Sequence, residues 1–374
     1  MRITIVQGAF LPVPPIQGGA VEKVWHGLGR EFAQRGHGVI HISRQTSALP
    51  TEGVEEGVCH VRVKGFDTPK SLLLLKFCDL IYSIRVARIL PPADIMVTNT
   101  FWLPIIVRSR RHGRIYVHVA RFPKGQMRLY RHVDRLQTVS TAVAEAIRKE
   151  VPDCAAKITV VPYPLHQDAF AAVPAEERHR TRTVAFVGRI HPEKGLELLL
   201  KAFRELAPGA LAGWRLRIVG PWQVAQGGAG QEYLMFLKDL ARPCREAIEF
   251  CEPTFDARAL RQHYSQATLF VYPSLAERGE TFGLAPLEAM ATGCPPLVSD
   301  LACFRDFIKD GENGFVFDHH AQDPVGALAK RLHEIVSMPM LLAEVGVKAQ
   351  AKARQFALTR VADHYLADFA SLVT

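Results

Sequence analysis

Short apolar runs alternate along the chain with longer segments in which apolar residues recur every three or four positions. In the first half, these two patterns predict strands and helices respectively. The predicted strands are 2–7, 38–43, 59–64, 94–98, 114–119, 136–140 and 158–161, and the predicted helices are 20–35, 70–90 and 141–150. Regular alternation of strand and helix predicts a parallel sheet, which binds its ligands beyond the carboxyl ends of the strands.

The same alternation starts again in the second half. Its predicted strands are 183–187, 215–219, 247–250, 268–272, 296–298 and 314–317, and its predicted helices are 195–206, 231–242, 257–266, 284–292 and 323–336. Two last helices, 338–355 and 359–373, have no strand between them. We therefore predict two doubly wound domains, residues 1–165 and 166–355, with residues 356–374 packing back on the first. The Pro-rich and polar stretch from Pro162 to Thr183 is predicted to connect the domains.

Length and composition agree with two folded domains and favour the cytoplasm. A chain of 374 residues is too long for one ordinary core, and two domains imply a cleft. Seven cysteines without a close Cys-x-x-Cys pair favour a reducing compartment. The N-terminus reaches Gly and Pro too soon for a signal peptide. The apolar stretch 71–90 carries four charged residues, which argues against a membrane span.

The formal net charge of +9 is unevenly distributed. Residues 1–175 contain 23 Lys and Arg against 13 Asp and Glu, a net charge of +10, whereas residues 176–374 contain 23 against 24, a net charge of −1. Nine basic residues are concentrated between Arg108 and Arg135, opposed only by Asp134. This basic segment indicates an anionic partner.

The first candidate site follows a buried strand at Val184–Val187. Gly188 allows a ligand to approach the backbone, and Arg189 and Lys194 can both reach the carboxyl end of the strand. Arg offers a planar fork of donors and Lys a point charge, so the pair suits a diphosphate without a metal. A surface loop with solvated cations remains an alternative for this segment.

The second candidate site lies between Glu280 and Glu288. The two glutamates flank the start of a predicted helix, whose free N–H groups at Phe282, Gly283 and Leu284 favour phosphate. Glu280 would lie on the loop above the helix, and Glu288 one turn along it could accept hydrogen bonds from sugar hydroxyls. Two unrelated glutamates, one near a helix N-terminus and one solvated, are the alternative.

Two weaker candidates lie in the first half. Gly18 and Gly19 precede the first helix, where glycines allow a phosphate or sugar close to backbone amides. A plain loop turn explains them equally simply. His118 ends an apolar strand and could hydrogen-bond a sugar hydroxyl, or could be a satisfied core histidine. The other histidines, His191, His319 and His320 among them, show no metal-ligand spacing, so we assign them no role.

Several common motifs are missing from the sequence. No Asp-x-Asp occurs, the short carboxylate clamp that usually holds a divalent metal on a nucleotide-sugar. We therefore expect no metal and no further cofactor. A Gly-x-Ser-x-Gly elbow and a Gly-x-x-x-x-Gly-Lys-Ser/Thr loop are also missing, which argues against an α/β-hydrolase and a P-loop ATPase.

Taken in order, these segments resemble the family-4 retaining glycosyltransferases of the GT-B fold. The similarity is strongest from Val184 to Phe317. The segments that carry it are Phe270-Val271-Tyr272-Pro273-Ser274, Glu280-x-Phe282-Gly283, Leu287-Glu288-Ala289-Met290-Ala291-x-Gly293 and Asp310-Gly311-Glu312-Asn313-Gly314. The first half matches only through Gly18-Gly19, Arg35-Gly36-His37 and His118. Residues 162–168 and 304–307 depart from the family's pattern, and we assign them no contact.

The resemblance implies two Rossmann-like domains facing across a cleft, and a role for each candidate residue. Arg189 and Lys194 would hold the diphosphate of a UDP- or GDP-linked sugar and stabilise its departure. Glu280 would face the donor sugar, and Glu288 would bind the ribose. The remaining candidates, by resemblance, are Phe282, Gly283 and Leu284 as amide donors, Gly18, Gly19 and Gly188 lining the donor site, and His118 near the reacting sugar and the acceptor.

The acceptor side is predicted from the basic first half. Leu72–Leu75, Phe77, Phe122 and Tyr130 lie near clustered basic residues, which favours peripheral docking on an anionic membrane at its cytoplasmic face. A glycan or lipid-linked acceptor in polysaccharide or lipopolysaccharide synthesis would follow. Core leucines and solvated arginines are the alternative. Other GT-B activities, an epimerase or a phosphorylase, stay open, and a polyanion binder is less favoured because the sequence has no recognition motif for nucleic acid.

Overall fold

The structure is a computed structural model that describes residues 1–166 and 181–373. Most of the predicted connection from Pro162 to Thr183 lies outside the described residues. The chain divides into two compact units. The first comprises Met1–Pro164 and the helix that begins at Leu358, and the second comprises Leu165–Ala357.

The first unit is built on an eight-stranded sheet in the order β3-β4-β2-β1-β5-β6-β7-β8. All neighbouring strands are parallel except β3 and β4. The strands are β1 Arg2–Val6, β2 Gly38–Arg44, β3 Glu52–Glu55, β4 Val58–Val63, β5 Ile95–Thr98, β6 Arg114–Val119, β7 Arg135–Thr138 and β8 Ile158–Val160. Strand β1, buried at every position but its first, lies at the centre of the order, as expected for a strand covered on both faces.

The described residues of this unit form five α-helices. They are α1 Ala20–Gln34, α2 Leu72–Ile89, α3 Leu103–Ile106, α4 Thr141–Glu150 and α11 Leu358–Val373. Helix α11 packs on α1, with the Phe32 and Phe369 rings 5.7 Å apart. Asp368 of α11 accepts a hydrogen bond from Tyr116 of β6 at 2.9 Å and pairs with Arg135 at 2.7 Å. The end of the chain is therefore part of the first unit's core.

The second unit contains a six-stranded, fully parallel sheet in the order β11-β10-β9-β12-β13-β14. Its strands are β9 Thr181–Val187, β10 Arg215–Val219, β11 Ile248–Cys251, β12 Ala267–Tyr272, β13 Pro296–Ser299 and β14 Phe315–Phe317. Its helices are α5 Leu196–Leu206, α6 Gln231–Ala241, α7 Ala257–Gln266, α8 Leu284–Ala291, α9 Pro324–Val336 and α10 Pro339–Ala353. Helix α5 buries Leu196, Leu199, Leu200 and Phe203, the spacing of one helix face.

The predicted α/β architecture with two parallel sheets is confirmed, and the predicted strands agree with the observed ones to within a few residues. The sequence missed β3 and the short helix α3. Strand β3 is exposed at all four positions and has no apolar face. Only its antiparallel pairing with β4, from Glu52 opposite Val61 to Glu55 opposite Val58, holds it in the sheet.

Candidate functional site

The second unit brings two loops together at the carboxyl ends of its central strands. Strands β9 and β12 are neighbours. Gly188 follows β9, and Pro273 and Ser274 follow β12. The two loops are joined by a hydrogen bond from the Leu275 N–H to the Glu193 carbonyl at 2.8 Å. The first and second candidate segments of the sequence therefore meet at one edge of the sheet.

The two loops share a buried ion pair. The Lys194 Nζ lies 2.6 Å from Glu280 Oε2, and the side chains are only 6% and 12% exposed. Two hydroxyls also donate to Glu280 Oε2, that of Tyr272 at 3.1 Å and that of Ser274 at 3.4 Å. Burial, and then the negative charge of Glu280, raises the pKa of Tyr272 well above its usual value. Tyr272 therefore remains a neutral donor, and the carboxylate is held by one cation and two hydroxyls.

Arg189 lies beside this pair. It is 43% exposed, with Nη2 2.7 Å from Glu193 Oε1 and Nη1 donating to the Gly227 carbonyl at 2.7 Å. Lys194 Nζ lies 3.9 Å from the same Glu193 oxygen. Both predicted cations therefore converge on Glu193, and Arg189 is the one accessible to solvent. The alternative of two solvated cations is wrong for Lys194.

Glycines make this close approach of backbone segments feasible. Gly195 has φ +69°, and a Cβ there would lie 1.9 Å from the Pro273 carbonyl oxygen. A Cβ on Gly220, which ends the β10 segment, would lie 1.9 Å from the Gly188 carbonyl oxygen. Neither approach is compatible with a side chain. The loop after β9 therefore packs closely against the loops that follow its two neighbouring strands, β10 and β12.

Helix α8 begins at the same edge of the sheet. Its N-cap is Gly283, with φ 95°, and no side chain caps it among the described residues. Phe304 packs on Gly283 and also contacts the Tyr272 ring, with ring centroids 6.2 Å apart. Phe282 is 1% exposed and packs on neighbouring aromatic rings. Gly283 and Leu284 begin the helix shortly after Glu280 in the chain, and the N–H groups at a helix N-terminus are donors that favour an anion.

Glu288 lies on the second turn of α8 and is half-buried. Its Oε2 accepts a hydrogen bond from the Tyr264 hydroxyl of α7 at 2.9 Å. Burial, and then Glu288 itself, raises the pKa of Tyr264 well above its usual value. The Tyr264 hydroxyl fixes one carboxylate oxygen, so Glu288 is an oriented acceptor rather than a loose surface charge.

The remaining candidates belong to the first unit. Gly18 and Gly19 have φ 85° and 99°, and Gly19 is the N-cap of α1. A Cβ on Gly19 would lie 2.2 Å from Glu22 Oε2, whereas no atom lies within 4 Å of a Cβ on Gly18. Burial raises the pKa of Glu22, although its own backbone hydrogen bond and Arg121 oppose this. Both glycines are thus required by backbone conformation, and Gly19 also by space.

His118 is 3% exposed and makes two hydrogen-bonding contacts. Its Nδ1 lies 2.5 Å from Gln137 Oε1, and its Nε2 lies 3.4 Å from the Tyr163 hydroxyl. Gln137 Nε2 donates to the carbonyls of Thr138 and Val161, so Gln137 Oε1 must accept from His118 Nδ1. Burial lowers the pKa of His118 to about 4. His118 is therefore a neutral imidazole whose Nε2 is an acceptor.

The basic and apolar surface of the first unit differs in part from the prediction. Leu72, Leu73 and Leu74 at the start of α2 are 76%, 82% and 50% exposed, so their interpretation as core is wrong. Tyr130 is 4% exposed and donates to the Phe101 carbonyl at 2.9 Å, so its predicted place on the surface is also wrong. The burial of a hydrophobic residue between arginines could not be predicted, because a short segment has the same pattern whether that residue is buried or lies on an amphipathic surface.

The sequence overlooked the partners that orient the site. Tyr272, Ser274 and Glu193 all lie inside the quoted motifs but were assigned no role. Their position at or just after the carboxyl ends of predicted strands was the signal that could have identified them. It also overlooked two histidine clusters, His26–Glu55–His60 and Glu277–His319–His320, whose ligand atoms each lie within 4.8 Å of one another. Linear spacing could not reveal them because most members come from different elements.

Two α/β units with these sheets define the GT-B fold. The family model described as "Glycosyl transferases group 1" matches residues 169–354, a segment of the second unit. The predicted family and fold are thereby confirmed. The Lys194–Glu280 ion pair, the N-terminus of α8 and Gly188 all lie within the matched segment.

Sequence relatives agree with this family. The chain is 29% identical over 259 residues to a D-inositol 3-phosphate glycosyltransferase of Gordonia bronchialis, covering 66% of this chain and 54% of that protein. It is 31% identical over 192 residues to the protein of the same name from Rhodococcus erythropolis, covering 50% and 40%. The chain thus spans about half the length of the curated relatives it matches.

Solved structures share the fold at low identity. A glycosyltransferase from Rickettsia africae aligns with a TM-score of 0.75 at 15% identity, covering 100% of this chain and 99% of its own. HepE of Anabaena, in complex with UDP-glucose, aligns with a TM-score of 0.73 at 18% identity over 100% of both chains. At such identities these likenesses establish the fold alone.

Proposed function

We propose that the protein is a retaining, metal-independent glycosyltransferase that moves a sugar from a nucleoside-diphosphate sugar to a glycan, glycolipid or lipid-linked acceptor. The observation that carries the proposal is the buried Lys194–Glu280 pair, with Arg189 beside it and the N-terminus of α8 nearby. Cations and free amides at the carboxyl ends of parallel strands form a site for phosphate groups.

The donor would exchange partners with the site's own glutamates. A diphosphate entering between Arg189 and Lys194 replaces part of their contact with Glu193, and the N–H groups of Gly283 and Leu284 take the distal phosphate. Glu280, held by its cation and two hydroxyls, then presents its other oxygen to the donor sugar, and Glu288 accepts from the ribose. HepE of Anabaena forms complexes with UDP and with UDP-glucose, which supports a nucleotide-sugar donor for the similar fold of this chain.

Charge stabilisation would do most of the catalytic work. As the bond to the sugar breaks, negative charge grows on the leaving diphosphate, where Arg189 and Lys194 already stand. Attack by the acceptor on the face of the departing group retains the anomeric configuration, and its proton passes to the leaving phosphate. A hydroxyl of the sugar or acceptor would bind the neutral His118 at Nε2 by replacing the Tyr163 hydroxyl, which lies 3.4 Å from that nitrogen.

The acceptor side would involve a membrane. Leu72, Leu73, Leu74 and Phe77 form an exposed apolar surface at the start of α2, and Lys70 and Lys76 are exposed among them. Such a surface binds anionic bilayers through apolar burial and charge attraction together. No helix among the described residues is long and apolar enough to cross a membrane. We propose peripheral docking on a cytoplasmic leaflet, consistent with lipopolysaccharide or other cell-surface polysaccharide synthesis.

Vesicle flotation tests the membrane proposal. The wild type should float with vesicles rich in anionic lipid and not with neutral ones, and Leu73→Glu should lose flotation. Val347→Glu, also at a helical position and 68% exposed but in the second unit, is the matched control. Equal flotation on neutral and anionic vesicles, or flotation unchanged by Leu73→Glu, would contradict docking through α2.

Calorimetry and a transfer assay test the enzyme itself. UDP or GDP should bind with EDTA present, and Arg189→Met should weaken that binding by at least about tenfold through loss of a bidentate cation. Donor should be consumed rapidly only with an acceptor, for which D-inositol 3-phosphate and lipid-linked glycans are the first panel. Interconversion of sugar nucleotides without acceptor would instead establish an epimerase, and dependence on orthophosphate a phosphorylase.

A further inference from the structure

A cluster of histidines lies in the first unit, whereas Arg189, Lys194 and Glu280 belong to the second. His41 of β2 is directly opposite His60 of β4 in the parallel pairing, and the two rings stack 5.7 Å apart. Glu55 of β3 is opposite Val58, two residues before His60. Side chains two residues apart share a face, so Glu55 and His60 are on the same face. His26 of α1 lies over it, its ring 6.1 Å from that of His60.

The ring nitrogens of His41 and His60 have no hydrogen-bond partner among the described residues. His41 is 0% exposed and His60 is 1% exposed. Buried polar atoms are normally paired because each unpaired one keeps the full cost of losing water. The nitrogens of His60, which lies beside His26 and Glu55, are therefore available to a ligand. A neutral imidazole has a lone pair on one nitrogen, and this is the form that binds metal.

We propose that His26, Glu55 and His60 bind one transition-metal ion, with Zn²⁺ as the best match. The three ligand atoms lie within 4.8 Å of one another. Two imidazoles and one carboxylate are a ligand set that Zn²⁺ adopts, with a fourth position left for water. The Glu55 carboxylate offsets the positive charge of the ion and of Arg62, which lies near His60. His41 backs the His60 ring by stacking.

The ion would fasten α1 to the edge of the sheet. Glu55 lies on β3, which is exposed throughout and is held only by β4. One turn after His26 along α1, Arg30 pairs with Glu56 of the same hairpin. A metal bridge would add a second tie between α1 and this hairpin. The proposed role is structural and leaves the metal-independence proposed for sugar transfer unchanged.

A second histidine cluster provides the control. In the second unit, His319 Nε2 and His320 Nε2 lie 2.8 Å and 2.9 Å from Glu277 Oε1. Each of these nitrogens donates to a carboxylate that cannot donate back, although His319 Nδ1 has no hydrogen-bond partner among the described residues. Its loss should not affect the first-unit site.

Cobalt substitution on the full chain tests the site. After removal of bound metal with a chelator, one Co²⁺ per chain should bind and produce visible d–d absorption, and Zn²⁺ should displace it. His26→Ala and Glu55→Gln, at less buried positions, should each weaken Co²⁺ affinity by at least about tenfold, since even residues behind the ligands alter it that much. Zn²⁺ should raise the Tm of the wild type and not of His26→Ala.

Matched variants decide the assignment. His320→Ala and Cys59→Ser, which change the other cluster and the thiol next to His60, should bind Co²⁺ like the wild type. Circular dichroism of the metal-free variants verifies folding. No d–d absorption in the wild type, wild-type affinity in both His26→Ala and Glu55→Gln, or loss of the absorption in His320→Ala would each overturn the proposal.

Discussion

The Lys194–Glu280 pair offers a direct test because its structural and catalytic roles can be separated. Lys194→Met removes the cation and keeps most of the side-chain length. Glu280→Gln removes the negative charge and keeps the shape. Combined, the two substitutions leave a neutral, isosteric contact. We expect the double variant to recover stability while remaining inactive.

The magnitude follows from the geometry. At 2.6 Å, two unit charges attract by roughly 6 kcal/mol at an effective dielectric constant of about 20, before the cost of desolvation. Lys194→Met leaves a carboxylate that is 12% exposed with only two hydroxyls. Breaking such a buried pair costs about 3–5 kcal/mol, whereas neutralising both partners is close to neutral. Transfer should fall roughly 100- to 1000-fold in all three variants, as when one charge-stabilising donor is lost.

Urea unfolding and initial transfer rates measure the two effects. Lys201→Met is the matched control, because Lys201 and Glu197 on α5 are also 2.6 Å apart but are 40% and 43% exposed. Such an exposed pair contributes less than about 1 kcal/mol, and its loss should not change the transfer rate. If the double variant transferred sugar within threefold of the wild type, the pair would be structural only. If Lys194→Met cost no more stability than Lys201→Met, the reasoning from burial would be wrong.

Three other predictions concern backbone, binding and acid. Gly195→Ala should destabilise the second unit by more than about 3 kcal/mol in urea unfolding, because its Cβ would clash with the Pro273 carbonyl. The control is Gly311→Ala, at φ +71° with no atom within 4 Å of its Cβ, which should reduce the free energy of unfolding by only about 1–2 kcal/mol. Equal destabilisation by the two substitutions would refute the clash. Glu280→Gln should bind free nucleoside diphosphate about tenfold more tightly in calorimetry, a difference of about 1.4 kcal/mol, because the competing carboxylate is gone; weaker binding would refute this. Lowering the pH from 6.5 to 4 should reduce the free energy of unfolding by roughly 3 kcal/mol through His118 alone. The reason is that His118 is protonated in the unfolded state over this range but stays largely neutral in the folded state, where its pKa is about 4. A His118→Gln variant with the same pH dependence of stability would contradict this.

The sequence could predict the parts of the site that are contiguous. Gly188 to Lys194 and Glu280 to Glu288 each form one strand-to-helix connection, so their chemistry is visible locally. The pairing of Lys194 with Glu280 depends on β9 lying beside β12, a strand order that periodicity does not specify. Tyr272 was read as strand residue only, because a strand pattern gives the face of a side chain and not its hydrogen-bond partner.

Other features depended on tertiary context in a different way. Leu72–Leu74 have the composition of a core helix, and only the packing of α2 shows that its first turn is exposed. The histidine cluster draws on α1, β2, β3 and β4, and β3 itself has no sequence signal. A polar edge strand forms because its neighbour offers unpaired backbone groups, so its residues enter a site that no spacing rule describes.

Positive charge is used in two distinct ways along this chain. In the second unit, which is nearly neutral overall, Arg189 and Lys194 are each paired with a glutamate within 2.7 Å. A donor must then exchange with those glutamates, so binding depends on geometry more than on a general field. In the first half, the net charge of +10 arises largely from residues such as Arg108, Arg128 and Lys124, which are exposed. Unlike a paired cation, this excess of unpaired positive charge attracts anions over about a Debye length. Such long-range attraction suits an anionic surface or acceptor rather than recognition of one diphosphate.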